Sequence, residues 1–204
     1  MPQDGRRACD CTRTHHALRV VLTGGPGAGK TAVLELCRRY FCSHVVILPE
    51  AASLLFAGGF PRGGSTPERA ATQRAIYHVQ RELECVAAAQ DNAALVLCDR
   101  GTVDGAAYWP GPGSLFEAVG SSLEAELGRY DAVIHLRTPD PRDYTRDNPM
   151  RIESAEQAAA IDDAIAVAWR GHPRLFVVDS RESFLHKAKD ALTLLTDLLP
   201  PCCA

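Results

Sequence analysis

Short apolar blocks recur along the chain, separated by longer stretches with helical periodicity. Leu18–Thr23, Val45–Leu48, Ala94–Cys98, Ala132–Leu136 and Leu175–Val178 span four to six residues each and are dominated by Val, Ile, Leu and Ala. None alternates cleanly between apolar and polar positions. A strand with one face in water alternates, whereas a strand covered on both faces reads as a continuous apolar run. The pattern therefore predicts a three-layer α/β fold: a five-stranded parallel sheet with helices on both faces.

The intervening stretches read as those helices. Thr66 before Pro67 suits an N-cap followed by a first-turn proline, opening a helix that runs to about Gln90 with Ile76, Val79, Leu83 and Val86 on one stripe. Ser154 with Gln157 forms a capping-box pattern ahead of a helix to about Trp169, which Gly171 and Pro173 stop. Phe184 to Leu199 reads as a terminal amphipathic helix. Two stretches escape the pattern: the glycine-rich segment around Gly58–Gly64 and the polar segment Thr138 to Pro149.

The first strand runs directly into Gly24-Gly25-Pro26-Gly27-Ala28-Gly29-Lys30-Thr31, which fits G-x-x-x-x-G-K-[ST]. Glycines let the backbone curl so that successive N–H groups converge on a phosphate. Lys30 supplies a point charge for the β- and γ-phosphates, and Thr31 offers a hydroxyl to Mg²⁺. The helix that follows adds its positive N-terminal end. Strand, glycine loop and helix together make the motif credible as a site for ATP or GTP.

In open α/β sheets ligands bind outside the carboxyl ends of the strands, so the polar residues there are the candidates. The third strand ends at Asp99, a carboxylate placed to hold Mg²⁺ with Thr31, a role compatible with capping the next helix. Arg100 follows where a motor ATPase would carry a second acid, and its charge suits a transferred phosphoryl group. Glu50, at the exit of the second strand, is the candidate general base for an acceptor hydroxyl; it also suits the start of a helix near Ala51. The catalytic set is therefore Lys30, Glu50, Asp99 and Arg100. Arg142, Arg146 and Arg151 are spaced to close on the nucleotide phosphates as a lid, or to form a solvated basic loop. Arg62, Gln80 and Asp104 are candidates for the acceptor, with Gln73, Tyr77 and Gln80 sharing one helix face.

Composition narrows the class. The chain has 204 residues, 46% hydrophobic and 23% charged, which fits one globular domain over residues 17–199 behind a flexible polar tail of residues 1–16. A net charge of −3 leaves no broad nucleic-acid footprint. No apolar run reaches membrane-spanning length, and the opening residues lack the apolar stretch of a secretory leader. The eight cysteines show no zinc-finger spacing, so a reducing cytoplasm is expected and no metal is assigned to them. Cys37, Cys85 and Cys98 read as core residues, Trp109 and Trp169 as packing residues, and His15-His16 as solvated tail. The other histidines, His44 among them, show no ligand spacing.

The phosphate loop, Leu48-Pro49-Glu50-Ala51-Ala52, Cys98-Asp99-Arg100-Gly101-Thr102-Val103-Asp104-Gly105 and Asn148-Pro149-Met150-Arg151-Ile152-Glu153 together resemble the AAA-type domain proteins related to nicotinamide riboside kinase. The resemblance covers roughly Leu18 to Leu185. It implies a P-loop kinase-like fold with strand order 2-3-1-4-5, and ATP or GTP binding with Mg²⁺. Pro49-Glu50 is similar to the Pro-Glu that supplies the base in deoxynucleoside kinases, and Asp99-Arg100 to the acid-Arg pair of nucleoside and thymidylate kinases. The chain departs from ring-forming motors in lacking an Asp-Glu pair at the third strand. The expected function is a Mg²⁺-dependent kinase acting on a nucleoside- or riboside-like hydroxyl. The alternatives are a nucleotide-dependent switch and a simple ATPase or GTPase. The expected partners are a nucleoside triphosphate and a small acceptor, with neither nucleic acid nor membrane; a homodimer is left open.

Overall fold

The computed structural model describes residues 9–90, 92–139, 154–180 and 183–203. The five strands are β1 (Leu18–Thr23), β2 (Val45–Leu48), β3 (Leu95–Asp99), β4 (Ala132–Leu136) and β5 (Leu175–Val178). They form one parallel sheet in the order β2-β3-β1-β4-β5, so the expected architecture and the order implied by the resemblance both hold. Only β3 shifts, beginning at Leu95 and carrying Asp99 as its last residue.

Helices α1 (Lys30–Tyr40), α2 (Ala51–Ala57), α3 (Thr66–Ala88), α4 (Leu115–Ala118), α5 (Leu123–Leu127), α6 (Ala155–Trp169) and α7 (Phe184–Leu198) cover the sheet, with a 3₁₀ helix at Thr102–Tyr108. Successive residues of β1 feed opposite cores. Val20 and Leu22 pack with Val33, Leu34 and Cys37 of α1 and Ala191 and Leu195 of α7. Val21 packs on the other side with Val103, Ile165 and Trp169. Filling both faces is why the strands read as uninterrupted apolar runs.

Helix α3 departs from its expected form in two ways. Ser65, not Thr66, is the N-cap, its hydroxyl accepting from the Glu68 N–H in a reciprocal capping box. The helix buries Thr72, Tyr77, Gln80, Glu84 and Ala87 and leaves Val86 65% exposed. The reason is a buried polar layer: Tyr77 donates to Glu126 (2.7 Å), Gln80 to Glu84 (3.0 Å), and Tyr130 to Glu84 (2.8 Å). Satisfied hydrogen bonds let these groups occupy positions that a hydrophobicity pattern assigns to the surface. The same rotation leaves Cys85 exposed, whereas Cys37 and Cys98 are buried as expected. Among the described residues no helix is long and apolar enough to cross a membrane.

Candidate nucleotide site

The parallel sheet places the ends of β1, β2 and β3 along one edge. In register, Leu22 lies beside Asp99 and Leu48 beside Cys98. The glycine loop after β1, Glu50 after β2 and Asp99-Arg100 at the end of β3 therefore meet at that edge.

The loop's glycines are dictated by space and by backbone. Gly24, Gly27 and Gly29 have φ of 139°, 78° and 93°, a region that L-residues rarely enter. A Cβ on Gly24 would lie 2.1 Å from the Leu136 carbonyl oxygen. Lys30 folds back, its Nζ donating to the carbonyls of Gly24 (2.8 Å) and Gly25 (3.1 Å). Burial, reinforced by the Arg100 charge, lowers Lys30 to about 8, while Asp99 and Glu50 pull the other way. Thr31, the second residue of α1, is exposed beside it.

Asp99 and Glu50 differ in state. Burial lifts Asp99 to about 6 against the pull of Lys30. Its Oδ1 is buried and has no hydrogen-bond partner among the described residues. Glu50 accepts from Arg100 Nε at 2.7 Å and from the Ser53 hydroxyl at 2.5 Å. Burial pushes its carboxyl up, but the Arg100 guanidinium, the Ser53 hydroxyl and the Lys30 charge together outweigh it and hold it below the usual value.

Arg100 is the hub. It has φ of 69°, the only positive φ among the described non-glycine residues. Such a conformation costs on the order of 1–3 kcal/mol and persists where surroundings enforce it. Here the Arg100 N–H is fixed to the Leu22 carbonyl at 3.1 Å, and the side chain reaches Glu50, Asp104 (3.2 Å) and the face of Tyr108. Burial opposes its charge, yet Tyr108, Glu50 and Asp104 raise its pKa, so it stays cationic.

The acceptor candidates separate. Asp104 adjoins the site, but its two oxygens are occupied: Thr23 Oγ1 and Arg100 donate to one, Gly101 N–H (2.9 Å) and Trp169 Nε1 (3.2 Å) to the other. It positions Arg100 and the start of the 3₁₀ helix. Gln80, 3% exposed, belongs to the polar layer under α3 with Glu84. Arg62 lies over the Phe56 ring, 4.1 Å from its centroid, on the exposed glycine-rich segment beyond α2. Trp169, 0% exposed, packs as expected, although its indole also serves Asp104. Arg142, Arg146 and Arg151 lie outside the described residues.

Two residues near the loop escaped the sequence reading. Asp162 of α6, 1% exposed, accepts from Gly25 N–H (2.7 Å), Thr138 N–H (3.1 Å), His135 Nε2 (2.8 Å) and Arg137 Nη1 (3.0 Å), tying the loop to β4 and α6. Its signal was an acid on the otherwise apolar stripe Ala158, Asp162, Ile165, Trp169. Phe184, at the start of α7 and 40% exposed, crowds Gly29, where a Cβ would meet its ring at 2.6 Å.

A parallel sheet of this order, with the G-x-x-x-x-G-K-[ST] loop after β1, defines a P-loop NTPase of kinase-like fold. A family model described as an AAA domain matches residues 19–187, and the chain belongs to that family. The fold is similar to a thymidylate kinase from Candida albicans, with a TM-score of 0.62, 12% identity, and coverage of 91% of this chain and 93% of that one. No curated protein sequence matches.

Proposed function

We propose that this chain is a Mg²⁺-dependent kinase that passes the γ-phosphoryl group of ATP or GTP to a hydroxyl of a nucleoside- or riboside-like molecule. The observation that carries this reading is the Glu50–Arg100 pair beside Asp99 at the exit of β2 and β3. A carboxylate and a fixed cation stand where an acceptor would approach, and Arg100 follows Asp99 where a hydrolase would carry a second acid.

The residues present fit a metal–nucleotide complex. The orphaned, buried Asp99 Oδ1 is a ligand atom without a partner among the described residues, and Gly24, Gly25 and Gly29 have no room for a Cβ against the Leu136 carbonyl, α6 and the Phe184 ring, so the loop keeps its curl. Thr31 and Asp99 would hold Mg²⁺, which supplies charge neutralisation at the phosphates. Lys30 exchanges its two loop carbonyls for phosphate oxygens. Phosphoryl transfer depends on positioning more than on base strength. A Glu50 of low basicity, aligned by Arg100 and Ser53, therefore suffices to orient the acceptor hydroxyl and take its proton late. Arg100 faces the charge that spreads over the transferred group. The half-exposed Phe184 ring beside Gly29 offers a platform for the nucleobase.

The test is ADP release by purified protein with Mg-ATP against a panel of nucleosides, ribosides and nucleoside monophosphates. Acceptor-stimulated ADP with a phosphorylated product supports the kinase. Acceptor-independent release of inorganic phosphate contradicts it and points to a hydrolase or switch.

A further inference from the structure

Three segments distant in sequence bring seven thiols and imidazoles together at the amino end of the sheet, opposite the phosphate loop. Cys9, Cys11 and His15 precede β1; Cys42 and His44 lie in the turn before β2; Cys202 and Cys203 follow α7. The Sγ atoms of Cys9, Cys42 and Cys203 and a ring nitrogen of His44 lie within 4.8 Å of one another, as do one ligand atom each from Cys11, His15 and Cys202. We propose that this cluster is a structural zinc centre clasping both ends of the chain to the sheet.

The spacing fits the metal. Zn–S bonds of about 2.3 Å and Zn–N bonds of about 2.0–2.1 Å at tetrahedral angles place S···N pairs about 3.6 Å and S···S pairs about 3.8 Å apart. His44 Nδ1 is 3.6 Å from Cys42 Sγ and 3.5 Å from Cys203 Sγ. Cys11 Sγ is 3.5 Å from His15 Nε2, and Cys202 Sγ is 3.8 Å from Cys203 Sγ and from His15 Nε2. Apolar packing alone gives no reason for ring nitrogens and sulfurs to point at one another. All of these cysteines are free thiols.

The donor set selects the ion and its role. Thiolates with imidazole favour zinc, and four protein ligands with no open position mark a structural site. Cys9, Cys42, His44 and Cys203 are a complete Cys₃His set, and Cys42, His44 and Cys203 are buried. Cys11, His15 and Cys202 supply three ligands for a second ion. Cys203 Sγ, 3.9 Å from His15 Nε2, stands between the two groups and completes the second as a bridging thiolate. Each thiol releases its proton to solvent on binding. The histidines gain a role that local spacing could not reveal, because the ligands come from 9–15, 42–44 and 202–203 rather than from one short motif. His15, expected as solvated tail, is half-buried and packs edge-on to His44 with ring centroids 5.2 Å apart.

The test uses the untagged full chain, reduced, stripped with chelator and titrated with Zn²⁺ alone, then with Co²⁺ as a spectroscopic probe. The centre predicts two equivalents per chain and cobalt spectra with thiolate charge-transfer and tetrahedral d–d bands. At a 100-fold excess over Kd, each bound zinc ion raises the Tm by about 5–10 °C. Cys203→Ser should abolish both equivalents, and Cys11→Ser only one. One equivalent in the wild type, lost in Cys42→Ser but kept in Cys11→Ser, upholds the Cys₃His centre and removes the second ion. No stoichiometric zinc in the wild type, or an octahedral cobalt spectrum, overturns the proposal without relying on any variant.

Discussion

Replacing Asp162 by asparagine perturbs the phosphate loop without touching a residue that meets nucleotide. The wild-type carboxylate receives four donors and is 1% exposed. Asparagine keeps one acceptor oxygen and turns an NH₂ group toward the remaining donors. Hydrogen bonds to charged groups contribute about 1.5–3 kcal/mol each. Losing two of the four, with the Arg137 share discounted because that side chain is 32% exposed, gives a destabilisation of roughly 3–5 kcal/mol. For a chain of this size that is a Tm decrease of roughly 6–20 °C. Thr138, one of the two donors lost with Oδ2, holds the Pro26 carbonyl of the loop through its hydroxyl, so its release should also raise the KM for ATP more than it lowers kcat. Burial pushes the Asp162 carboxyl up, but the His135 bond and the Gly25 and Thr138 N–H groups outweigh it, so the pKa lies below the usual 3.8. The stabilisation is therefore complete above that pH and is lost as pH falls through the depressed value, so the two proteins should converge in acid. Thermal melts and ATP kinetics at several pH values read all three effects. An Asp162→Asn protein with wild-type Tm and unchanged KM at neutral pH would refute the clamp.

Other outcomes follow from the same geometry. Glu50→Gln should lower kcat by about 10²–10⁴-fold with nucleotide affinity near wild type; unchanged turnover removes Glu50 from the chemistry. Asp99 titrates at about 6, so Mg²⁺ affinity should fall as pH drops through that value and the carboxylate is protonated. A flat Mg²⁺ affinity between about pH 7 and 5 would contradict its role as ligand. Phe184→Ala should raise the KM for ATP by roughly 5–150-fold, since base–aromatic stacking contributes about 1–3 kcal/mol; an unchanged KM places the base elsewhere.

The sheet was legible because burial on both faces leaves an unbroken apolar run, and four of the five strands fall where that rule puts them. The loop was legible because its chemistry is local: each glycine answers to its own φ or to a neighbour such as the Leu136 carbonyl. What sequence reading missed is non-local. Gln80, Glu84 and Tyr77 occupy the inner face of α3 because Glu126, Arg129 and Tyr130 come from elsewhere to satisfy them. Asp104 looks available along the chain, and only the fold shows Thr23, Arg100, Gly101 and Trp169 closing around it. Cys9, His44 and Cys203 share no spacing until the sheet sets its amino edge beside the end of α7.

The central claim is that the Gly24–Thr31 loop grips the phosphates of a nucleoside triphosphate. Calorimetric titration of the protein with Mg-ATP and Mg-GTP, repeated on Lys30→Ala, tests it most directly. The account predicts one nucleotide per chain and a loss of roughly 10–100-fold in affinity when the ammonium is removed. Wild-type protein that gives no binding heat with either nucleotide, or Lys30→Ala protein that binds as tightly as wild type, would contradict it.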